Sequence, residues 1–277
     1  ETGRNSNETE HNITLTRGFY LGKYEVTQAQ YEAVMTGNTN GLSATPSQFS
    51  GNPNRPVEKV SWNDIQVFLE RLNEQMAEDL PAGWEYVLPT EAQWEYACRA
   101  GTSTKFSWGD TITSGNANWN YLGDYSNHTS DVGQYSANFW GFHDMLGNVW
   151  ELCSDWYAPE FQADDLIDWE GPISGDSKLL RGGGWSSPDS HLRTAFRNQS
   201  TLSFRGNARG FRLSFQYTNK VPSDLNSTAP LTIAENNPLG TIIGKFNATD
   251  PDTNNTLAYS LVNGNGSTDN ALFTMDP

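Results

Sequence analysis

The feature that most constrains the fold is the segment from residue 102 to residue 180, which shows little helical periodicity. It is rich in Gly, Asn, Asp, Ser and Trp. Irregular segments of this length are uncommon inside compact domains, and they are usually functional or held in place by ligands. The chain therefore predicts a domain with many loops and little regular secondary structure.

Helices are predicted mainly before this segment. Thr27 with Gln30, and Thr90 with Gln93, have the spacing of capping boxes, which predicts a helix over about 28–35 and another that carries Trp94 and Cys98. Between them, apolar residues recur at helical spacing from Ile65 onward, so a third helix is expected, capped around Trp62 to Asp64.

Strand patterns are shorter and weaker. Alternation from Ile13 into Phe19 predicts an opening hairpin, and strand-like pieces are expected over 179–181, 192–196 and 210–217. The three consecutive glycines that begin at Gly182 predict a tight turn with positive φ.

Charge and cysteine content limit the classes of function. A formal net charge of -16 and a pI near 4.5 argue against nucleic-acid binding, which requires a basic surface. Excess carboxylates suit divalent cations or simply favour solubility. The two cysteines, Cys98 and Cys153, could pair, but we expect both to be buried free thiols. No apolar run is long enough to cross a bilayer, and no signal peptide is visible.

Several long motifs follow one another in a fixed order. They read FYLGKYEVT over 19–27, PVEKVSW over 56–62, LPTEAQWEYACRAG over 88–101, GNVWELCSDW over 147–156 and RGGGWSS over 181–187, followed by GFRL over 210–213. With these motifs the chain resembles the formylglycine-generating enzyme (sulfatase-modifying factor) family over roughly residues 13–215. The resemblance implies an irregular α+β domain of the C-type-lectin-like kind.

The resemblance also implies where oxidation chemistry would occur. Enzymes of this family use two cysteines after the Gly-Gly-Ser-aromatic turn to bind copper, because soft thiolates hold Cu(I). The first of these positions falls on Ser187 and the second near Asp189. A serine hydroxyl is not a soft ligand, so no copper and no catalytic residue are expected. An oxidase with a rearranged site is the alternative.

Calcium is the expected cofactor. The loop from Asp144 to Glu151 offers two carboxylates and the carbonyls of Gly147 and Val149, the oxygen donors that calcium prefers. These positions match a structural calcium loop of the family. The family's second calcium site falls on Asn118, Trp119, Asp124 and Ser126. The competing interpretation is that such residues only cap turns and bond backbone amides.

Other catalytic sites find no support. The four histidines are scattered without the spacing of a zinc or iron site, and no nucleophile elbow or phosphate-binding loop is present. Catalysis by Ser186 or Ser187 would need a histidine and an acid in contact, which adjacency in sequence does not establish.

Ligand recognition is the remaining possibility, and the resemblance places substrate on the face formed by the segment from Trp185 to Arg209. Aromatic rings, short hydroxyls and arginines suit the recognition of sugars or peptides. The predicted ligand-binding residues are Trp185, Ser186, Ser187, Asp189, His191 and Arg205.

Composition changes near residue 218. Residues 218–230 are predicted to be a linker, and 231–277 resemble the first part of a cadherin-like β-sandwich repeat that stops before its closing strands. Glu235, Asp250 and Asp252 fall at the calcium-ligand positions of such repeats. At the other end, residues 1–12 are polar and are predicted to be disordered.

These observations predict four segments: a disordered start over 1–12, the main domain over 13–217, the linker over 218–230 and the partial repeat over 231–277. The predicted function is a calcium-stabilised, non-catalytic module for extracellular or cell-surface recognition of a glycan, peptide or protein. Besides the oxidase, a retroelement-diversified binding protein of the lectin fold is an alternative.

Overall fold

A computed structural model of the chain describes residues 3–120, 127–159 and 166–218, and the backbone of two further strands over 223–227 and 246–249. The chain divides into two compact units. The first comprises residues 1–80 and 85–216, and the second comprises residues 81–84 and 217–277. No helix within the described ranges is both long and apolar enough to cross a membrane.

The described residues of the first unit form the helices α1 (Gln28–Met35), α2 (Trp62–Met76) and α3 (Glu91–Arg99). The capping boxes of α1 and α3 are formed as predicted, by Thr27 and Thr90. The cap of α2 lies one residue earlier than predicted, because Ser61 and Asp64 form a third capping box. Sequence reasoning missed this box because its acidic member is Asp rather than Glu or Gln.

The strands are β1 (Ile13–Thr14), β2 (Phe19–Leu21), β3 (Trp84–Val87), β4 (Trp150–Trp156), β5 (Leu166–Ile167), β6 (Ser177–Arg181), β7 (Asn198–Thr201), β8 (Arg209–Gly210), β9 (Ser214–Tyr217), β10 (Ser223–Ser227) and β11 (Phe246–Thr249). The largest sheet has the order β7-β6-β4-β8, in which only the β4–β8 pair is parallel. A second sheet has the order β2-β9-β3. In the second unit, β10 pairs antiparallel with β11.

Two strand predictions were wrong. The opening hairpin does not form, since β1 pairs in parallel with β5, whereas β2 pairs with β9 near the end of the first unit. The segment 192–196 is not a strand; it follows a short 3-10 turn over Asp189–His191, and the strand begins at Asn198. In the first case long-range pairing decided the structure. In the second case the segment forms turns, with the Leu192 amide bonded to the Asp189 carbonyl and the Phe196 amide to the Arg193 carbonyl.

Among the residues that the structure describes, the core consists of two buried clusters. One packs α1 and α2 against the large sheet, with Tyr31 stacked on Phe68 at 5.3 Å and Phe211 meeting Phe68 edge-to-face. The other surrounds Trp94 of α3 and includes both cysteines. Burial of each large side chain contributes about 1.5–3 kcal/mol. Because the clusters include residues from loops as well as from helices and strands, this burial also stabilises the irregular loops.

Residues 3–12, for which the composition predicts disorder, pack against the rest of the first unit in the structure. Glu8 is buried and forms a bidentate ion pair with Arg193, with N–O distances of 2.6 and 2.7 Å. The Asn7 side chain donates to the Tyr157 hydroxyl at 2.9 Å. Polar composition suggested disorder, but here the polar side chains find buried partners far away in sequence.

Candidate functional site

The glycine turn after β6 shapes the predicted ligand face. Gly182 and Gly183 have φ values of 89° and 76°, which confirms the predicted positive φ at the first two glycines. A Cβ on Gly182 would lie 2.7 Å from the carbonyl oxygen of Met145, and one on Gly183 would lie 2.8 Å from a methyl group of Leu192. The turn is therefore packed from both sides, which fixes the chain direction into Trp185.

Ser187, which the resemblance predicts to stand at the position of the family's first cysteine, belongs to this turn. Its side chain is buried, and its hydroxyl accepts a hydrogen bond from the Gly184 amide at 3.0 Å. Its amide donates to the Gly184 carbonyl, and its own carbonyl accepts from Asn120. The residue thus closes the turn from inside, whereas Ser186 and Asp189 are exposed.

His191 is held by aromatic contacts rather than by a catalytic partner. Its ring lies 4.3 Å from the ring of Phe196 and 6.0 Å from that of Trp150. Burial, with a smaller contribution from the Arg193 charge, lowers its pKa. Within the described residues, no hydrogen bond joins the His191 ring to a serine hydroxyl or to Asp189, so the structure holds no Ser-His-Asp triad there.

Trp185 is the best-positioned aromatic residue of the predicted face. Its indole NH donates to the Asn207 carbonyl at 3.0 Å, and its amide donates to the Asn148 carbonyl at 2.8 Å. Phe49, which the sequence did not single out, meets it edge-to-face at 5.5 Å. The ring is half-buried. These contacts fix its orientation while leaving part of it open to solvent.

Arg205, which is predicted to bind a ligand, forms an ion pair in the structure. Its guanidinium forms two hydrogen bonds of 2.6 Å to the carboxylate of Asp64, the same residue that completes the cap of α2. It therefore ties the loop after β7 to the start of α2 and has less capacity for a ligand. The neighbouring Phe204 is 51% exposed and carries the Arg209 guanidinium 4.0 Å from its ring centroid.

The two carboxylates of the first predicted calcium loop have different partners. Asp144 accepts from a backbone amide, whereas Glu151 is paired with an arginine. Asp144 has a positive φ of 54°, and its carboxylate accepts from the Gly133 amide at 2.6 Å. Burial raises its pKa. Glu151, in contrast, is fully buried and accepts from both Arg212 and the Trp94 indole, at 2.6–2.7 Å.

Residues of the second predicted calcium site are hydrogen-bonded to residues of the first. The Asn118 carbonyl accepts from the Asn148 amide at 2.9 Å, and the Asn118 side chain donates toward the His128 carbonyl at 3.1 Å. Trp119 donates from its indole to the Thr113 carbonyl. Asp124 and Ser126, the other two members, lie outside the described residues, as do Glu235, Asp250 and Asp252 of the C-terminal repeat.

Glu25 is a buried carboxylate that sequence reasoning missed. It accepts from the Asn148 side chain at 2.7 Å and from the Val149 amide at 3.2 Å. Burial raises its pKa well above the usual range, and the charges of Asp144 and Glu151 raise it further. Three carboxylates thus lie near one compensating cation, Arg212, an arrangement that an added cation would stabilise.

The donor set fits calcium only in part. Asp144 and main-chain carbonyls are suitable hard donors, but both oxygens of Glu151 already accept hydrogen bonds. Across the ranges that the structure describes, no three side chains of His, Cys, Asp or Glu converge on one metal-sized position. A calcium ion there would rely on Asp144, on backbone oxygens such as those of Gly147 and Val149, and on water.

The two thiols lie in a core environment that disfavours the thiolate form. Cys98 and Cys153 are both buried and unpaired, as predicted. Burial is the main reason that the pKa of each thiol is raised, so both stay protonated near neutral pH. Both belong to the second core cluster, and neither lies in the turn that holds Ser187.

Comparisons with known proteins assign the scaffold. The profile of the "Sulfatase-modifying factor enzyme 1-like domain" matches residues 1–217. The chain is similar to a formylglycine-generating enzyme of Streptomyces coelicolor, at 34% identity over 183 residues, covering 60% of this chain and 54% of that enzyme. The formylglycine-generating enzyme of Bos taurus is 30% identical, covering 58% and 44%. The chain thus spans about half the length of these relatives.

Solved structures give the same scaffold. Treponema denticola variable protein 1 superposes with a TM-score of 0.64 at 27% identity, covering 74% of this chain and 87% of that one. PvdO from Pseudomonas aeruginosa superposes with a TM-score of 0.67 at 26% identity, covering 78% and 87%. The match of the family profile from residue 1 agrees with the docked position of Glu8.

Proposed function

This chain belongs to the family of sulfatase-modifying factor enzyme 1-like domains, and we propose that it is a calcium-stabilised, non-catalytic member that recognises an extracellular glycan or protein. The observation that carries the proposal is the environment of Ser187, the residue that we assign to the position of a copper-binding cysteine in the family's enzymes. Its side chain is buried, and its hydroxyl accepts a hydrogen bond from the Gly184 amide. Neither remaining thiol is an accessible thiolate.

The recognition role is supported by the arrangement around Trp185. Its backbone and indole are fixed by Asn148 and Asn207, while Ser186 and Asp189 beside it are exposed. A rigid aromatic group with adaptable polar neighbours is the composition that binding surfaces use, because little conformational entropy is lost on contact. Location outside the cell is part of the proposal and rests on the adhesion-type resemblance of the C-terminal segment.

Calcium can be tested by thermal unfolding of the full chain with calcium and with chelator. At a thousandfold excess over the dissociation constant, a ligand that binds only the folded state adds about 4 kcal/mol, or roughly 10 °C in Tm for a domain of this size. Asp144→Asn should reduce the shift, whereas the exposed Asp176→Asn should not. An identical Tm with calcium and with chelator would contradict the calcium part.

The alternative, an oxidase with a rearranged site, is supported by the relatives that are named formylglycine-generating enzymes. The two functions separate in one assay: copper binding and oxygen uptake with a cysteine-containing sulfatase peptide. The enzyme of Streptomyces coelicolor serves as the positive control. Stoichiometric copper and oxygen consumption by this chain would refute the non-catalytic proposal.

The other alternative, a diversified binding protein, draws support from the similarity to a structure named variable protein 1. It differs from the main proposal in the origin of the binding loop, not in its chemistry. Sister copies whose sequences differ mainly between Ser186 and Arg209 would favour it. Probing glycan and peptide arrays with the chain and with Trp185→Ala tests the shared part, since both functions require the Trp185 face.

A further inference from the structure

A second candidate site lies away from the predicted ligand face. A cavity of about 910 Å³ is bounded by residues 4–19 on one side and by α3 with Trp140 and Phe142 on the other. This volume is typical of pockets that hold small ligands. None of the six predicted ligand-binding residues lines it. The cavity therefore needs its own explanation.

The wall made by the N-terminal segment is held at several points. Glu8 is paired with Arg193, and the Asn7 carbonyl accepts from Arg197 at 3.0 Å. Further on, Ile13 and Thr14 pair with β5, and the Thr16 amide donates to Asp168 at 2.7 Å. A ligand entering the cavity would thus meet a wall that is already ordered, which lowers the entropic cost of binding.

The opposite wall presents two exposed aromatic rings at a fixed angle. Tyr96 and Trp140 are 55% and 46% exposed, their ring centroids are 4.8 Å apart, and the ring planes are inclined by 62°. Large aromatic side chains that are exposed at a cavity indicate a binding site, because their apolar faces are partly open to solvent. Together they offer two flat surfaces in different orientations.

Asn138 holds Trp140 in place. Its side-chain oxygen accepts from the Trp140 amide at 3.1 Å, while its side-chain nitrogen donates to the carbonyls of Ala97 and Cys98 at 2.8 and 3.1 Å. One side chain thus ties the Trp140 turn to the last turn of α3, which also carries Tyr96. Asn138 is a positioning residue for the aromatic pair.

The charges of the cavity are balanced and largely paired. Four arginines and four glutamates line it. Arg99 bonds to Glu95 at 2.7 Å, and Arg197 bonds to Glu91 at 2.6 Å. A strongly charged ligand would gain little from such a wall, whereas a neutral polar ligand would find fixed donors and acceptors side by side.

We propose that this cavity binds a neutral oligosaccharide, with Trp140 and Tyr96 as the stacking residues. Sugar rings have apolar faces that pack on aromatic rings and hydroxyl edges that bond to paired charged groups, which is the combination on this wall. The site is separate from the Trp185 face, so it stands or falls independently of the proposed function.

The test is an array of neutral hexasaccharides (β-1,4-glucan, β-1,3-glucan, mannan and chitin) with peptide spots on the same surface. Trp140→Ala in the full chain should weaken binding at least tenfold, and Trp140→Phe should lose less because a flat face remains. Phe139→Ala is the matched control: Phe139 is 79% exposed, adjacent in sequence and outside the cavity lining. It should bind like the unaltered chain.

Three results would overturn the proposal. They are the absence of hexasaccharide binding, binding that Trp140→Ala leaves intact, and binding to peptide spots alone that Trp140→Ala removes. Because Trp140 is a surface residue, its variants should keep the Tm of the parent chain, and circular dichroism verifies this. Asn138→Ala should weaken hexasaccharide binding and make the Trp140 ring more mobile, a change that a purely structural role elsewhere would not produce. The ring mobility is measured by fluorine NMR of the chain labelled with fluorotryptophan, in which Trp140→Phe identifies the Trp140 signal. Loss of binding through Trp185→Ala with the Trp140 variants unaffected would instead assign the glycan to the Trp185 face.

Discussion

Replacing Glu8 by Ala should destabilise the domain far more than is usual for a residue near a chain terminus. In the structure Glu8 is 5% exposed and Arg193 is 4% exposed, and two hydrogen bonds of 2.6 and 2.7 Å join them. Removing one member of a buried pair leaves the other charge without its partner and typically costs about 3–5 kcal/mol. Arg193 would keep its bond to the Ser190 carbonyl at 3.1 Å, which places the expected value toward the lower end.

Urea unfolding followed by tryptophan fluorescence measures this loss directly. At about 2–4 °C per kcal/mol for a domain of this size, a loss near 3 kcal/mol lowers Tm by roughly 6–12 °C. Glu10→Ala is the control, since Glu10 is exposed two residues away, and it should leave the unfolding midpoint unchanged. The double replacement Glu8→Leu with Arg193→Met should recover most of the stability, because replacing both charges by apolar groups removes the desolvation cost.

A loss below about 1 kcal/mol for Glu8→Ala would refute the reasoning. It would mean that residues 3–12 are not docked on the core in solution, and that Arg193 is compensated by other groups. The wall that residues 4–19 contribute to the cavity beside Tyr96 and Trp140 would then also be absent. A loss of the expected size that the double replacement does not recover would assign the effect to packing rather than to the ion pair.

Three shorter predictions concern other parts of the domain. Gly147→Ala should lower the free energy of unfolding by several kcal/mol. The residue has a φ of 96°, and the new Cβ would lie 2.6 Å from the Asn118 carbonyl oxygen. Thermal unfolding in the presence of calcium checks this. Burial, and then a nearby carboxylate on α3, raises the pKa of Asp155 to about 7. The folded state therefore holds its proton between about pH 4 and 7 while the unfolded state has released it, so this group makes the folded state less stable as pH rises. Asp155→Asn should weaken that fall between about pH 4 and 7 in urea unfolding, and an unchanged slope would contradict the raised pKa. Finally, Cys98 and Cys153 should resist a thiol reagent at pH 8 in the native chain and both react in denaturant; rapid labelling of the native chain would contradict their burial.

Local signals predicted the parts of the fold that local interactions determine. The capping boxes of Thr27 and Thr90 each close within four residues, so the helix starts follow from the sequence alone. The glycine turn at Gly182 likewise needs only its own backbone. In contrast, β1 pairs with a strand more than 150 residues away, and no local pattern distinguishes that partner from the nearby β2.

In the candidate site, too, the features set by local sequence were predictable and those set by long-range contacts were not. The position of Ser187 in the turn was predictable from the glycine motif, and so was the burial of both thiols. The ion pair of Arg205 with Asp64 was not, because it joins residues 141 apart. Glu25 was missed for a similar reason: it lies in an ordinary strand-like motif, and only the fold brings Asn148 to it.

The bonds around Trp185 have a consequence for how readily this protein can change. The loop after β6 keeps its course through groups that point inward: the glycine backbone, the Ser187 hydroxyl and the carbonyls of Asn148 and Asn207. Within the described residues, the exposed Ser186 side chain makes no hydrogen bond to that framework, and the exposed Asp189 carboxylate accepts only from the next amide, that of Ser190. They can be randomised in a combinatorial library without unfolding the protein, so the domain is a suitable display scaffold for selecting new binding specificities.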